Sequence, residues 1–180
     1  QAMPAADARD RPRRATGTPH DDLGRVRLQV TTREEEHVDG LFDVTGKTAL
    51  VTGGTSGIGR MIAQGLAEAG ARVYVSSRKA EACEQTAAEL GVTGIAADLS
   101  TEPECLRLAE EIASRESRLD VLVNNAGATW GAPLEEFPAS AWDKVLDLNV
   151  KSPFFLTRAL LPLLEAAGTA DDPCLLYTSP

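Results

Sequence analysis

One segment restricts the possible folds more than any other: KTALVTGGTSGIGRMIAQGLAEAG, residues 47–70. Its first part is a short apolar run ending in glycine, which reads as a buried strand. Its last part sets Ile58, Met61, Ile62 and Leu66 at helical spacing and stops at Gly70. Between them, Gly53, Gly57 and Gly59 give the pattern GxxxGxG. Gly53 permits a tight turn out of the strand, Gly57 lets backbone approach a pyrophosphate, and Gly59 lets the helix pack close to the strand. The helix N-terminus turns free N–H groups and roughly half a positive charge towards such an anion. Thr55 and Ser56 add hydroxyls. A purely structural glycine turn is the alternative, but a strand before the loop and a helix after it favour the anion cradle.

The alternation continues in units of roughly 25–30 residues, the length of a βα repeat. ARVYVSS reads as strand two and KAEACEQTAAEL as helix two, then VTGIAADL as strand three. Helix three lies in STEPECLRLAEEIASRES, where Thr101 and Glu104 suit a capping box. RLDVLVNNAG is strand four with VLV as its buried core, and two helices follow around SAWDKVLDLNV and KSPFFLTRALLPLLEAAG. Apolar strands separated by helices indicate a parallel sheet covered on both faces. Right-handed crossovers then leave a Rossmann-like, doubly wound α/β fold, here with the first four strands and their helices. Strand four is expected to be left as an edge, with CLLYTS apolar enough to mimic part of a fifth strand beside it.

Charge narrows the partners. The chain has 180 residues and a formal net charge of −9, which argues against nucleic acid or an anionic membrane. The longest apolar run, Phe154 to Leu164, is broken by Thr157, Arg158 and Pro162, and the N-terminus lacks a signal peptide's apolar stretch. A cytoplasmic protein is expected. Cys83, Cys105 and Cys174 have no CxxC spacing and the only histidines are His20 and His37, so no metal site is expected and the thiols read as small buried or half-buried residues. Residues 1–40 are rich in charge and proline and poor in large apolar side chains, and read as outside the folded domain. Either residues 1–37 are translated leader ahead of an alternative start at Val38, or they form a genuine disordered tail; the codon of Val38 decides.

TGGTSGIG followed at this distance by NNAG resembles the short-chain dehydrogenase/reductase family over about residues 41–173, roughly the first half of such a domain. More narrowly, RMIAQGLAEAGARVYVSSRKAEACEQTA and NNAGATWGAPLE resemble 3-oxoacyl-acyl-carrier-protein reductases of the rhamnolipid-biosynthesis type. The resemblance implies hydride transfer between a nicotinamide and a carbonyl or alcohol carbon. It implies cofactor contacts from Gly53, Thr55, Ser56, Gly57, Ile58 and Gly59, an adenine contact from Asp98 with Leu99 beside the ring, and a ribose wall from Asn125, Ala126 and Gly127. Asp98 could equally cap the next helix. Asn124 reads as a tie between strands.

The end of strand two decides which dinucleotide fits. Ser76, Ser77, Arg78 and Lys79 stand there, with no carboxylate to bond a free 2′-hydroxyl or repel a 2′-phosphate. Ser77 and the planar donor fork of Arg78 suit that phosphate, so NADP(H) is expected; a solvated helix start is the bland alternative for Arg78 and Lys79.

Asn149 in DLNVKS matches the family asparagine that holds a water in the proton relay; read alone, it is a helix-kinking residue bonded to backbone. Trp130 either lines the substrate side or packs. The family's serine and Tyr-x-x-x-Lys do not occur. Arg78, not lysine, stands four residues after Tyr74, and the tail CLLYTSP resembles translated adapter sequence. Residues 174–180 are therefore expected to be non-native, and neither Tyr177 nor Ser179 to be catalytic. The intact protein is expected to be a homotetramer acting on a small or acyl-carrier-protein-bound carbonyl compound, and this chain to be inactive alone. A dinucleotide-binding chain without turnover, or a reductase of a steroid, sugar or small ketone, are the alternatives.

Overall fold

The computed structural model describes residues 43–170 and 172–178. The readings made on residues 1–40 and on Ser179 lie outside them. Five parallel strands stand in the order β3-β2-β1-β4-β5: β1 (Thr48–Thr52), β2 (Arg72–Ser77), β3 (Thr93–Ala96), β4 (Val121–Asn124) and β5 (Leu175–Thr178). The helices are α1 (Gly57–Glu68), α2 (Ala80–Leu90), α3 (Glu102–Ala113), α4 (Ala139–Leu146) and α5 (Ser152–Ala167). All five residues of the central β1 are buried, as a strand covered on both faces requires. One face carries Leu50, Tyr74 and Leu122 against Leu108, Ile112, Leu156 and Leu160 of α3 and α5. The other carries Val51, Val75 and Val123 against Ala63, Ile62 and Leu66 of α1.

The structure departs from the sequence reading in four places. Ile58 and Met61 do not belong to the buried stripe of α1; they are 70% and 71% exposed, while Gly59 and Ala63 face inward. The smallest residues win that face because they let the helix lie close to the sheet. The capping box does not form. Thr101 is the N-cap of α3, but its side chain makes no cap bond, and Glu104 turns to Arg107 and to the Asp98 N–H instead. A charge-assisted fork one turn away outcompetes a neutral backbone donor. The two helices expected after strand four are joined by a π-helical turn, Asp147–Lys151, which carries Asn149. Finally, β4 is not the edge of the sheet. β5 pairs alongside it, with Val121 opposite Leu175 and Val123 opposite Tyr177. Leu-Leu-Tyr-Thr suits a strand and takes up the ladder groups that β4 offers, yet Leu175, Leu176 and Tyr177 remain more than half exposed, at 55%, 53% and 53%.

Cys83 and Cys105 are buried and Cys174 is half-buried, all free thiols, and burial pushes the first two up in pKa. At the amino end of the sheet a partly buried polar cluster joins β2 to the segment just after α3. Arg72 donates twice to Glu116, at 2.9 and 3.1 Å, and the Tyr74 hydroxyl donates to the same carboxylate at 2.7 Å. Burial, and then the anionic Glu116, push the Tyr74 phenol up to about 12 from its ordinary 10.0. The unfolded chain ionises this phenol first, so its contribution is complete below pH 10 and lost as pH rises through about 12. Denaturant midpoints measured across that window should fall for the parent chain and fall less for Tyr74→Phe. Parallel curves for the two would disprove the assignment.

Candidate functional site

The carboxyl ends of β1 to β4 open into a cleft of about 400 Å³. Its floor is the turn after β1. Gly53 and Gly57 take φ of +66° and +53°, left-handed values that any Cβ would strain. No heavy atom lies within 4 Å of where a Cβ would stand on Gly57, so the backbone there is open to an approaching group. Gly59 is the opposite case. A Cβ on it would collide with the Gly53 carbonyl oxygen and the Asn125 amide nitrogen, so α1 is seated on the turn itself and on the end of β4. Ser56 is the N-cap of α1 with its hydroxyl in no cap bond, and no acidic residue sits in the first helical turn. An anion at this helix start would meet free N–H groups without a competing carboxylate.

The walls come from the other strands. Ser77 and Arg78 line the cleft from the end of β2, Ala97 and Leu99 from the end of β3, and Asn125, Ala126, Gly127 and Leu148 from beyond β4. Gly53, Thr55, Ser56, Ile58, Gly59 and Ser76 complete it. Eleven of the thirteen residues expected at the cofactor therefore share one cavity. The other two, Gly57 and Asp98, do not line it. Gly57 belongs to its floor turn, and Asp98 lines an adjoining pocket with Arg78, Gly127 and Lys144. One Asp98 oxygen is committed nearby, accepting from the Ser100 N–H at 3.2 Å and the Ser100 hydroxyl at 2.9 Å. Trp130 is half exposed, with the Lys144 ammonium 5.4 Å from its ring centre.

Asn149 lines none of these cavities. Its side chain clamps one residue of backbone: Oδ1 accepts the Ala128 N–H at 2.7 Å and Nδ2 donates to the Ala128 carbonyl at 3.0 Å. The π-helical turn brings it there, and the pair fixes the segment that carries Ala126 and Gly127 along the cleft.

The roles expected of Asn124 and Asn125 are partly exchanged. Asn125 is the tie, its Nδ2 donating to the Thr52 carbonyl at 2.9 Å. Asn124 is buried with Nδ2 unpartnered. Thr52, Gly54, Ala97 and Leu148 were not anticipated. Thr52 Oγ1 donates to the Val123 carbonyl at 3.2 Å and accepts the N–H groups of Asn125 and Ala126, each at 3.0 Å. A Cβ on Gly54 would come within 2.7 Å of Val75. Only Thr52 left a signal, as the one hydroxyl ending a buried strand directly before the glycines.

Residues 47–171 match the short chain dehydrogenase family. The chain belongs to the short-chain dehydrogenase family. It is 53% identical over 136 residues to the rhamnolipids biosynthesis 3-oxoacyl-[acyl-carrier-protein] reductase of Pseudomonas aeruginosa, covering 73% of this chain and 53% of that one. It is 38% identical over 147 residues to the D-threitol dehydrogenase of Mycolicibacterium smegmatis, covering 78% and 56%. Among solved structures it resembles the Pseudomonas aeruginosa RhlG/NADP active-site complex, with a TM-score of 0.73 and 51% identity over 76% of this chain and 55% of that one. A metagenomic short-chain oxidoreductase in complex with NADP gives a TM-score of 0.66 and 36% identity over 69% and 59%. The chain spans about half the length of the curated short-chain dehydrogenases it matches.

Because Gly59 is wedged between the Gly53 backbone and the Asn125 side chain, Gly59→Ala should cost about 1–3 kcal/mol of stability, the range for overpacking a tight contact. Gly65, in the same helix with open space around it, is the control, and Gly65→Ala should be neutral or stabilising. Chemical denaturation of both variants measures the contrast.

Proposed function

We propose that this chain is the dinucleotide-binding front part of an NADPH-dependent oxidoreductase that reduces a carbonyl by hydride transfer, 3-oxoacyl to 3-hydroxyacyl on acyl carrier protein being the first substrate class. One observation carries the cofactor reading: Ser77 and Arg78 share a cavity with the glycine turn, so a dinucleotide with its pyrophosphate on the turn would meet both residues at its ribose. The residues fit the group. Gly57 leaves open backbone, the start of α1 offers uncapped N–H donors, and the β2 end carries a cation and no carboxylate. The likeness to two NADP complexes supports the same choice.

In this reading Gly53, Thr55, Ser56, Gly57, Ile58 and Gly59 hold the pyrophosphate side. Ser77 and Arg78 read the 2′-phosphate, Asp98 and Leu99 bound the adenine, and Asn125, Ala126 and Gly127 lie along the ribose. The bound nicotinamide supplies the hydride. Asn149 keeps its place through Ala128 and serves the proton relay. No tyrosine, lysine or histidine is among the described residues lining the cleft. Tyr74 is buried and committed to Glu116, so the proton donor of the whole protein comes from a serine, tyrosine and lysine outside residues 41–173. The chain alone binds cofactor without turnover. The D-threitol dehydrogenase likeness favours a sugar-like carbonyl compound as the second substrate class.

Trp142, Leu146, Val150 and Phe154 stand exposed along α4, the π turn and α5, which supports assembly of the whole protein as a homotetramer through this face. No helix among the described residues is long and apolar enough to cross a membrane, and the proposed compartment is the cytoplasm.

Arg78→Asp removes a charge-assisted donor fork and sets a carboxylate where the phosphate would lie. NADPH affinity should fall on the order of 100-fold, corresponding to about 2–3 kcal/mol, with little change for NADH. Fluorescence titration with both nucleotides tests it, and equal losses would overturn the assignment.

A further inference from the structure

The loop from β3 to α3 supplies Ala97 and Leu99 to the cleft and Asp98 to the pocket beside it. The sheet holds this loop through the Ala97 N–H, which donates to the Ser77 carbonyl at 2.9 Å. Further support comes from α3. Arg107 closes a two-bond fork on Glu104, 2.9 Å in each arm. The same guanidinium donates to the carbonyl of Ala96, the last residue of β3. Glu104 in turn accepts the Asp98 N–H at 3.4 Å. One ion pair thus touches backbone on either side of Ala97, while neither of its members lines the cleft.

Charge attraction alone gives such a pair little weight, since Arg107 and Glu104 keep 43% and 36% of their side-chain exposure. Geometry gives it more. A guanidinium is planar and its donor directions are fixed, so the Ala96 carbonyl and the Glu104 carboxylate cannot shift independently. Another ion pair, between Glu111 of α3 and Arg115 just past its end, makes no such bond to the loop. Losing the hydrogen bond of Glu104 would cost it the choice of conformation at Asp98 rather than a contact with any ligand.

We infer that the Glu104–Arg107 pair is a positioning element for the adenosine end of the dinucleotide site, holding residues 96–98 so that Ala97 and Leu99 present their side chains to the cleft. This rests on the dinucleotide reading given above. The pair acts through the loop and touches neither cofactor nor substrate, so its effect belongs to affinity for the adenosine half of the ligand.

The test is titration of the 180-residue chain with NADPH and with adenosine 2′,5′-bisphosphate, which lacks the nicotinamide half. Arg107→Met and Glu104→Gln should each weaken both ligands by the same factor, about fivefold, with the melting temperature unchanged. Arg107→Lys should recover part of the loss, because an ammonium can still reach the Ala96 carbonyl, and Arg115→Met should change nothing. Unaltered bisphosphate affinity in Arg107→Met or Glu104→Gln overturns the inference. If one of these two variants unfolds, the other decides; if both unfold, the pair is a brace of the fold and the inference fails. A parent chain that binds neither ligand overturns the dinucleotide reading itself, a result separate from normal parent binding with indifferent variants.

Discussion

β1 is fastened to β4 at both of its ends by side chains bonding backbone, and the cleft depends on that double fastening. At the entry, the Thr48 N–H donates to the buried Asp120 carboxylate at 2.9 Å, which Arg118 also contacts. At the exit, the Thr52 hydroxyl donates to β4 and accepts two N–H groups from the chain leaving it, while Asn125 returns a bond to Thr52. A hydroxyl that gives one bond and takes two has no capacity left over. The turn at Gly53 and the segment 125–127 are therefore placed relative to one another before any ligand arrives.

The remaining walls hang from this frame in order. α1 rests on the Gly53 turn because Gly59 allows it, and its uncapped start is presented to the cleft as a consequence. The segment after β4 is pinned from the opposite side by Asn149 on Ala128. The β3 end is steadied from α3. Each wall is thus held by a different helix, and the strands, whose carboxyl ends lie side by side in a parallel sheet, bring the pieces to one place.

The strands, the glycine turn and the fold class could be read from the sequence because each rests on local pattern: apolar runs such as VLV, glycines at fixed spacing, and a regular βα rhythm. The cleft residues could be read for the same reason, since they sit where strands end. What could not be read depends on competition between partners far apart in the chain. Ile58 and Met61 obey helical spacing, but the tight seat of Gly59 turns them outward. Thr101 and Glu104 match a capping box, but Arg107 claims the carboxylate. Asn124 ends β4 and Asn125 follows it directly, so a pattern cannot say which of them meets Thr52. That Thr52 is the joint follows only once β1 and β4 are known to be neighbours.

β5 is held mainly by its backbone ladder to β4. Its side chains are exposed on both faces, in contrast to β1, where both are buried. A strand whose alternate residues meet different surroundings is locked in register, because a slip of one residue exchanges inside for outside. Leu175 to Thr178 have no such inside. Their alignment against Val121–Asn124 is set by the main-chain ladder with little help from burial, so the outermost position of this sheet selects a strand far more weakly by its side chains than β1 does.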